Sequence, residues 1–371
     1  MSSISATKHH KEPLVHIVKR DEMKIWQAWL VRVAAIVLAL LLVGFISMAL
    51  TKEDFFTIYE TMYKGAFGRL GSGSTVMLWN FLQKTAILLG LSLAVTPAFK
   101  MKFWNCGAEG QALMGGLASM ICMIELGDKL SYPVLLLVIL LTSILAGAIW
   151  GVIPAIFKAQ YNTNETLFTL MMNYIATQII KYYLYIEGGG SNKINPVDEG
   201  NLPIIFDNKY ALNVLIVLVL TVLVYVYLNY SKQGYEITVV GESKNTARYI
   251  GINVKKVIIR TMIISGAICG IIGMLLVSGT DHSIDTNTVG GQGFTAIMVS
   301  WLGQFNPFIM ILMSALVIFI NLGTGKMADT CGLNSSFADI AVGIVIFFVV
   351  GCEFFIHYSV RFRHQRKEAK V

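Results

Sequence analysis

The sequence predicts an all-α fold, a polytopic helical membrane protein with about ten transmembrane helices, and three observations predict it. Hydrophobic residues make up 55% of the 371 positions and charged residues only 14%, whereas about a quarter of an ordinary soluble domain is charged. Apolar runs such as Val33–Leu50, Pro133–Phe157, Leu212–Leu228 and Ile340–Ile356 reach or approach the ~18 residues that a helix needs to cross the hydrocarbon core. Basic residues, finally, are shared unevenly between the segments that join those runs. A water-soluble fold is the wrong frame for such a chain.

Residues 1–32 carry Lys8, Lys11, Lys19, Arg20 and Lys24, and neither an apolar core nor a small-residue cleavage site precedes the first span. No removable signal peptide is visible, so the first span is expected to stay as an anchor. Ten spans are expected, at roughly 33–50, 85–99, 106–124, 133–157, 165–186, 211–229, 257–278, 293–303, 307–321 and 338–357. Between the first two, Phe55, Tyr59, Met62, Phe67 and Leu70 recur at near-helical spacing among charged neighbours. That pattern suits a helix on the outer membrane surface, and equally a loop packed on the bundle. Residues 187–208 are rich in Gly, Asn, Pro and Asp and read as an outer loop with turns.

With the N-terminus inside, twenty of the 29 Lys and Arg residues fall in cytoplasmic segments, as the positive-inside rule requires. The expected layout is therefore a basic cytoplasmic segment at 1–32, a transmembrane domain at 33–357 and a basic cytoplasmic tail at 358–371. It describes a multi-pass protein of the plasma membrane, in contact with lipid and with both termini inside. The net charge of +7 needs no nucleic-acid partner. Cys106, Cys122, Cys269, Cys331 and Cys352 form no C-x-x-C pair and read as small hydrophobes, not as a disulfide or metal framework.

Two segments echo one another: Gly107-Ala-Glu-Gly-Gln-Ala-Leu-Met opens the third span and Gly290-Gly-Gln-Gly-Phe-Thr-Ala-Ile-Met the eighth. In the topology above the two enter from opposite sides, which predicts an inverted repeat relating spans 2–5 to spans 7–10. Glycines before a short span allow sharp bends, and the free amides of a helix start attract polar groups. The solute path is therefore expected beside these openings, near Glu109, Gln111, Asn173 and Gln292. Glu109 has two readings: an ionisable path residue, or an acid in the first turn of its helix stabilised by that helix's dipole, the structural role being favoured. Asn173, Asn321, Asp339 and Glu353 are further polar groups at membrane depth. Such groups replace water around a hydroxyl-rich solute, or tie helices together.

The longest internal cytoplasmic loop, 231–256, contains a short helix from Ser243, a good N-cap, to about Tyr249, with Gly251 as its stop. It is either a rigid peg for a soluble partner or an ordinary surface loop. No enzyme constellation is present. There is no H-E-x-x-H, and Gly323-Thr-Gly-Lys326-Met327 is not a phosphate-binding loop, because Ile320 and Met327 stand where Gly and Ser/Thr are required. No cofactor or metal is expected, and ATP, if it powers this chain, binds another one.

At these same segments the chain resembles the permeases of bacterial ATP-binding-cassette importers for ribose-type sugars and nucleosides. Phe103-Trp-Asn-Cys-Gly-Ala-Glu-Gly-Gln111 resembles the F-N-I-G-A-E-G-Q pattern of that family, Asn164-Glu-Thr-Leu…Met172-Asn-Tyr174 its N-E…M-L-N-Y pattern, and Gly234–Val254 its cytoplasmic coupling loop. The likeness covers about residues 75–357, and the A-E-G-Q form is closest to the nucleoside branch. Trp104 and Cys106 depart from the pattern, and the extension before Trp26 has no counterpart in it. The resemblance implies import of nucleosides or related sugar-containing solutes. It also implies three partners: a separate cytoplasmic ATPase subunit, a second permease subunit and an extracytoplasmic solute-binding lipoprotein. Carried onto this sequence, the coupling loop comprises Gly234, Tyr235, Glu236, Gly241, Ala247, Arg248 and Gly251. Gly241 and Gly251 would bracket its helix, Tyr235 and Ala247 would face a groove in the ATPase, and Arg248 would make a polar contact at the rim. The alternative from another class is an ion-coupled secondary transporter, with a membrane-embedded enzyme third. A neighbouring reading frame for a Walker-motif ATPase separates the first two.

Overall fold

A computed structural model describes residues 15–20, 23–68, 74–205, 207–334 and 336–362. Residues 1–14 of the basic segment 1–32, Leu70 and the tail beyond 362 lie outside them. The chain divides into two compact units, residues 1–60 with 328–371, and residues 61–327.

In the first unit, strand β1 (Val15–Lys19) leads into helix α1 (Ile25–Thr51), and helix α13 (Ser336–His357) leads into strand β2 (Tyr358–Phe362). The strands pair antiparallel with Val15 opposite Phe362 and Lys19 opposite Tyr358. The start of α1 and the end of α13 are thereby held together, and the two helices pack on each other. Arg32 donates to Glu353 at 2.6 Å; Glu353 thus meets its charge inside the helix pair, the arrangement that an acid at membrane depth requires. The expected helical segment after the first span is helix α2 (Phe55–Phe67). Its Ile58, Met62 and Ala66 are buried at helical spacing, and Tyr59 donates to Leu40 O of α1 at 2.6 Å. Helices α2 and α12 contain residues of both units.

The second unit comprises α3 (Ser74–Lys100), α4 (Ala108–Leu126), α5 (Tyr132–Tyr161), α6 (Glu165–Glu187), α7 (Ala211–Tyr230), α8 (Lys232–Glu242), α9 (Lys244–Tyr249), α10 (Val254–Leu276), α11 (Gln292–Leu302) and most of α12 (Pro307–Cys331). A single π-turn, Val277–Asp281, follows α10. All ten expected spans fall on helices. Seven of the described helices are long and apolar enough to cross a membrane: α1, α3, α5, α7, α10 with its π-turn, α12 and α13.

The apolar windows of α3 and α10 are 89% and 78% buried, whereas that of α5 is only 28% buried. The two former helices form the centre, and α5 turns Leu137, Leu141, Leu145 and Ile149 outward in a stripe, the surface expected of a helix facing lipid. Backbone contact fixes α10 in place. A Cβ added at Gly270 would collide with Ser143 O of α5, and one at Gly273 with Ala112 O of α4. Small residues at helical spacing allow this approach where no hydrophobic effect draws helices together. The segment between α6 and α7 returns onto the turn after α10: Val197 N donates to His282 O at 2.8 Å and Leu202 N to Ser278 O at 3.0 Å. All five cysteines are free.

Candidate functional site

Helices α4 and α11 both begin after a glycine, Gly107 and Gly291 respectively. A capping glycine has no side chain, so the first amides of each helix begin without the acceptor that Ser, Asp or Asn would supply. Each helix finds one elsewhere in the sequence. Asn173 of α6 accepts from Gly110 N at 2.9 Å through Oδ1, while its Nδ2 donates to Cys106 O at 2.8 Å. Glu109, in the first turn of α4, reaches across to α11. Gly291 N donates to its Oε1 and Gly293 N to its Oε2, both at 2.8 Å. The carboxylate occupies the positive end of the α11 dipole, so charge and hydrogen bonding act together. Gly293 must be small, because a Cβ there would lie 2.6 Å from Glu109 N.

A buried amide network stands behind this contact. Asn105 Oδ1 accepts from Gly107 N and from Gln111 Nε2, each at 3.1 Å, and Asn105 Nδ2 donates to Ser265 Oγ of α10 at 3.0 Å. Gln111 and Asn173 are buried. Gln292 is half-buried, and its Oε1 is without a partner among the described residues. The structure therefore brings Glu109, Gln111, Asn173 and Gln292 into one neighbourhood, where two helix starts meet head to head. The first three hold helices in place, and Gln292 keeps a free acceptor. Asn105 lies inside the Phe103–Gln111 motif. Ser265 sits in an apolar run and carried no sequence signal.

The segment 231–256 holds more helix than its sequence suggested. Ser231 caps α8 by accepting from Gly234 N at 2.9 Å, and Ser243 caps α9 by accepting from Thr246 N at 3.2 Å. Gly251, at φ +84°, ends α9 as expected. Gly241 does not precede a lone helix; it lies in the last turn of α8, with its Cα side against Lys100 O. Gly234 packs in the same way on the Tyr227 and Leu228 carbonyls. Glu236 accepts from Arg260 of α10 at 2.9 Å, which ties α8 to the central helix. Tyr235 and Arg248 are exposed. Ala247 is a correction: at 0% exposure it faces the protein interior and offers a partner nothing, whereas Tyr249 at 90% and Ile250 at 54% supply the open apolar surface. A helix of a turn and a half gives no periodicity from which to read its buried side. Among the described residues no group of His, Cys, Asp and Glu side chains could hold a metal ion.

The family described as branched-chain amino acid transport system / permease component matches residues 77–350. The guanosine ABC transporter permease protein NupP of Bacillus subtilis is 30% identical over 345 residues, covering 90% of this chain and 94% of its own. The nucleoside ABC transporter permease protein NupB of Lactococcus lactis is 26% identical over 344 residues, covering 86% and 90%. The glucose ABC transporter permease protein TsgB13 of Haloferax volcanii is 26% identical over 366 residues, covering 94% of each chain. The family match takes in every helix of the crossing at Glu109 and most of the apolar helices around it, and the chain accordingly belongs to the branched-chain amino acid transport system / permease component family, as a membrane permease.

Proposed function

We propose that this chain is the permease subunit of an ATP-binding-cassette importer for nucleosides, energised by a separate ATPase that docks on α8 and α9. Near end-to-end similarity to a guanosine permease, with the glycine-capped crossing inside the matched region, is the observation that carries this reading. A second permease subunit and an extracytoplasmic solute-binding lipoprotein complete the assembly.

The solute path runs beside the meeting of α4 and α11. Helix α11 has 11 residues, about 16 Å at 1.5 Å per residue, or half of a ~30 Å hydrocarbon core. Its start thus lies at mid-membrane, together with Gln292 and the Glu109 carboxylate. Mutual packing supports an inverted repeat: α10 lies on α4 and α3 lies on α11, with α3 and α10 also in contact. That exchange of partners is what a two-fold axis in the membrane plane produces. Ten spans follow, with α4, α6 and α11 added to the seven apolar helices. The pairing of β1 with β2 supports placing the flanking basic segments on one face, the cytoplasmic one by charge.

The test is uptake of tritiated guanosine by cells that express the whole transporter, compared with cells lacking only this chain. The reading predicts that removing the chain abolishes guanosine uptake and leaves glucose uptake intact. Loss of glucose uptake with guanosine uptake unchanged would replace the nucleoside by a sugar.

A further inference from the structure

Trp301, in the last turn of α11, meets Phe305 just beyond it, Phe99 at the end of α3 and Trp104 in the segment before α4. The indoles of Trp104 and Trp301 stack with centroids 5.7 Å apart and planes 23° apart. Phe99 stands edge-on to them at 5.5 and 6.3 Å. The cluster does not close on itself. It walls a cavity of about 380 Å³, and Trp104 and Trp301 remain 46% and 47% exposed. Thr238 and Glu242 of α8, with Lys100 and Lys102 at the end of α3 and just after it, supply the polar groups around that cavity. The turns that aim the rings are strained: Lys102, Gln304 and Phe305 adopt left-handed φ of 58°, 51° and 58°. Backbone strain of this kind collects at ligand clamps.

We propose that this cavity is a base-stacking subsite for the nucleoside at the cytoplasmic end of its path. The planar base lies against the open indole surface, and the ribose hydroxyls turn toward Thr238 and Glu242. The subsite rests on the nucleoside reading and adds to it a place and a means of selection. Four rings folded around one space differ from the aromatic belt of a membrane edge, where Trp and Tyr stand along the headgroups. With Lys100 and Lys102 beside Glu242 on the wall, selection of the nucleoside rests on the aromatic faces, which suit a planar base. Cavities that take small planar ligands combine aromatic walls with a few placed polar groups and start at about 300 Å³. Because Thr238 and Glu242 belong to α8, a movement of α8 against its ATPase changes the polar wall and releases the solute inward.

Two measurements decide the matter. In cells with the whole transporter, Trp301→Leu and Trp104→Leu should each raise the KM for guanosine about tenfold, whereas Trp301→Phe should stay within about threefold, as expected for a stacking face. In the purified complex in nanodiscs, 8-azidoguanosine should label residues within 99–104 or 301–305, a result independent of how the variants fold. If the wild type takes up no nucleoside, the import reading fails, and the subsite with it. If the wild type takes up guanosine but both Leu variants keep its KM, or the photolabel maps elsewhere, the subsite alone is overturned.

Discussion

Glu109 finds the partners of its carboxylate in backbone rather than in a cation. Its two oxygens each accept from an amide at 2.8 Å, at the start of a helix other than its own. Together with the positive end of the α11 dipole, this replaces the water that the carboxylate gave up. Removing the side chain leaves both amides without an acceptor, at about 1–3 kcal/mol for the buried Gly293 amide and less for the exposed Gly291 amide. Glu109→Ala should therefore lower the unfolding temperature clearly in detergent, followed by reaction of the buried cysteines with a thiol dye. Glu109→Gln, which keeps one oxygen acceptor, should lower it less. Equal melting of Glu109→Ala and the wild type would contradict the bonding described here. The sequence reading of Glu109, an acid in the first turn stabilised by the dipole of its own helix, differs from the contact seen, in which the carboxylate meets the amides of α11. That contact depends on a helix more than 180 residues away in the chain.

Helices α8 and α9 carry the proposed energy coupling, and their exposed residues set the prediction at this scale. Tyr249→Ser and Ile250→Ser should leave the chain inserted and folded while reducing solute-stimulated ATP hydrolysis by the assembled complex. Ala247→Asp should act differently. It places an unpaired charge in the chain's own interior, a penalty of several kcal/mol, and should lower the amount of folded protein before any coupling is measured. Full folding of Ala247→Asp together with normal hydrolysis in the two Ser variants would remove α9 from the docking surface. The apolar helices were legible because a segment in lipid must satisfy its own backbone and present an apolar exterior. Helix α9 was legible from the Ser243 cap and the Gly251 stop. Helix α8 was not: Lys232–Glu242 mixes charged, β-branched and glycine residues without a clean period. The β1–β2 pair was hidden as well, since two five-residue strands in basic flanks, one near each end of the sequence, leave no local mark of their pairing.

At the scale of the whole molecule, the sequence separates two jobs. Apolar outer stripes such as Leu137, Leu141, Leu145 and Ile149 serve the lipid, and the enclosed helices α3 and α10 carry the polar crossing at their sides. The proposed nucleoside path, the coupling helices and the aromatic cavity all belong to residues 61–327. The sequence carries no Walker-type phosphate-binding motif, and in the proposed reading the energy of ATP enters through a protein contact. An ion-coupled carrier would share the broken helices and the repeat but not that dependence. The most direct measurement is therefore tritiated guanosine uptake in cells whose ion gradients are collapsed by ionophore while ATP is maintained, set beside cells depleted of ATP with gradients intact. ATP-driven import predicts that uptake survives the first treatment and disappears under the second, and uptake that follows the ion gradient instead would contradict it.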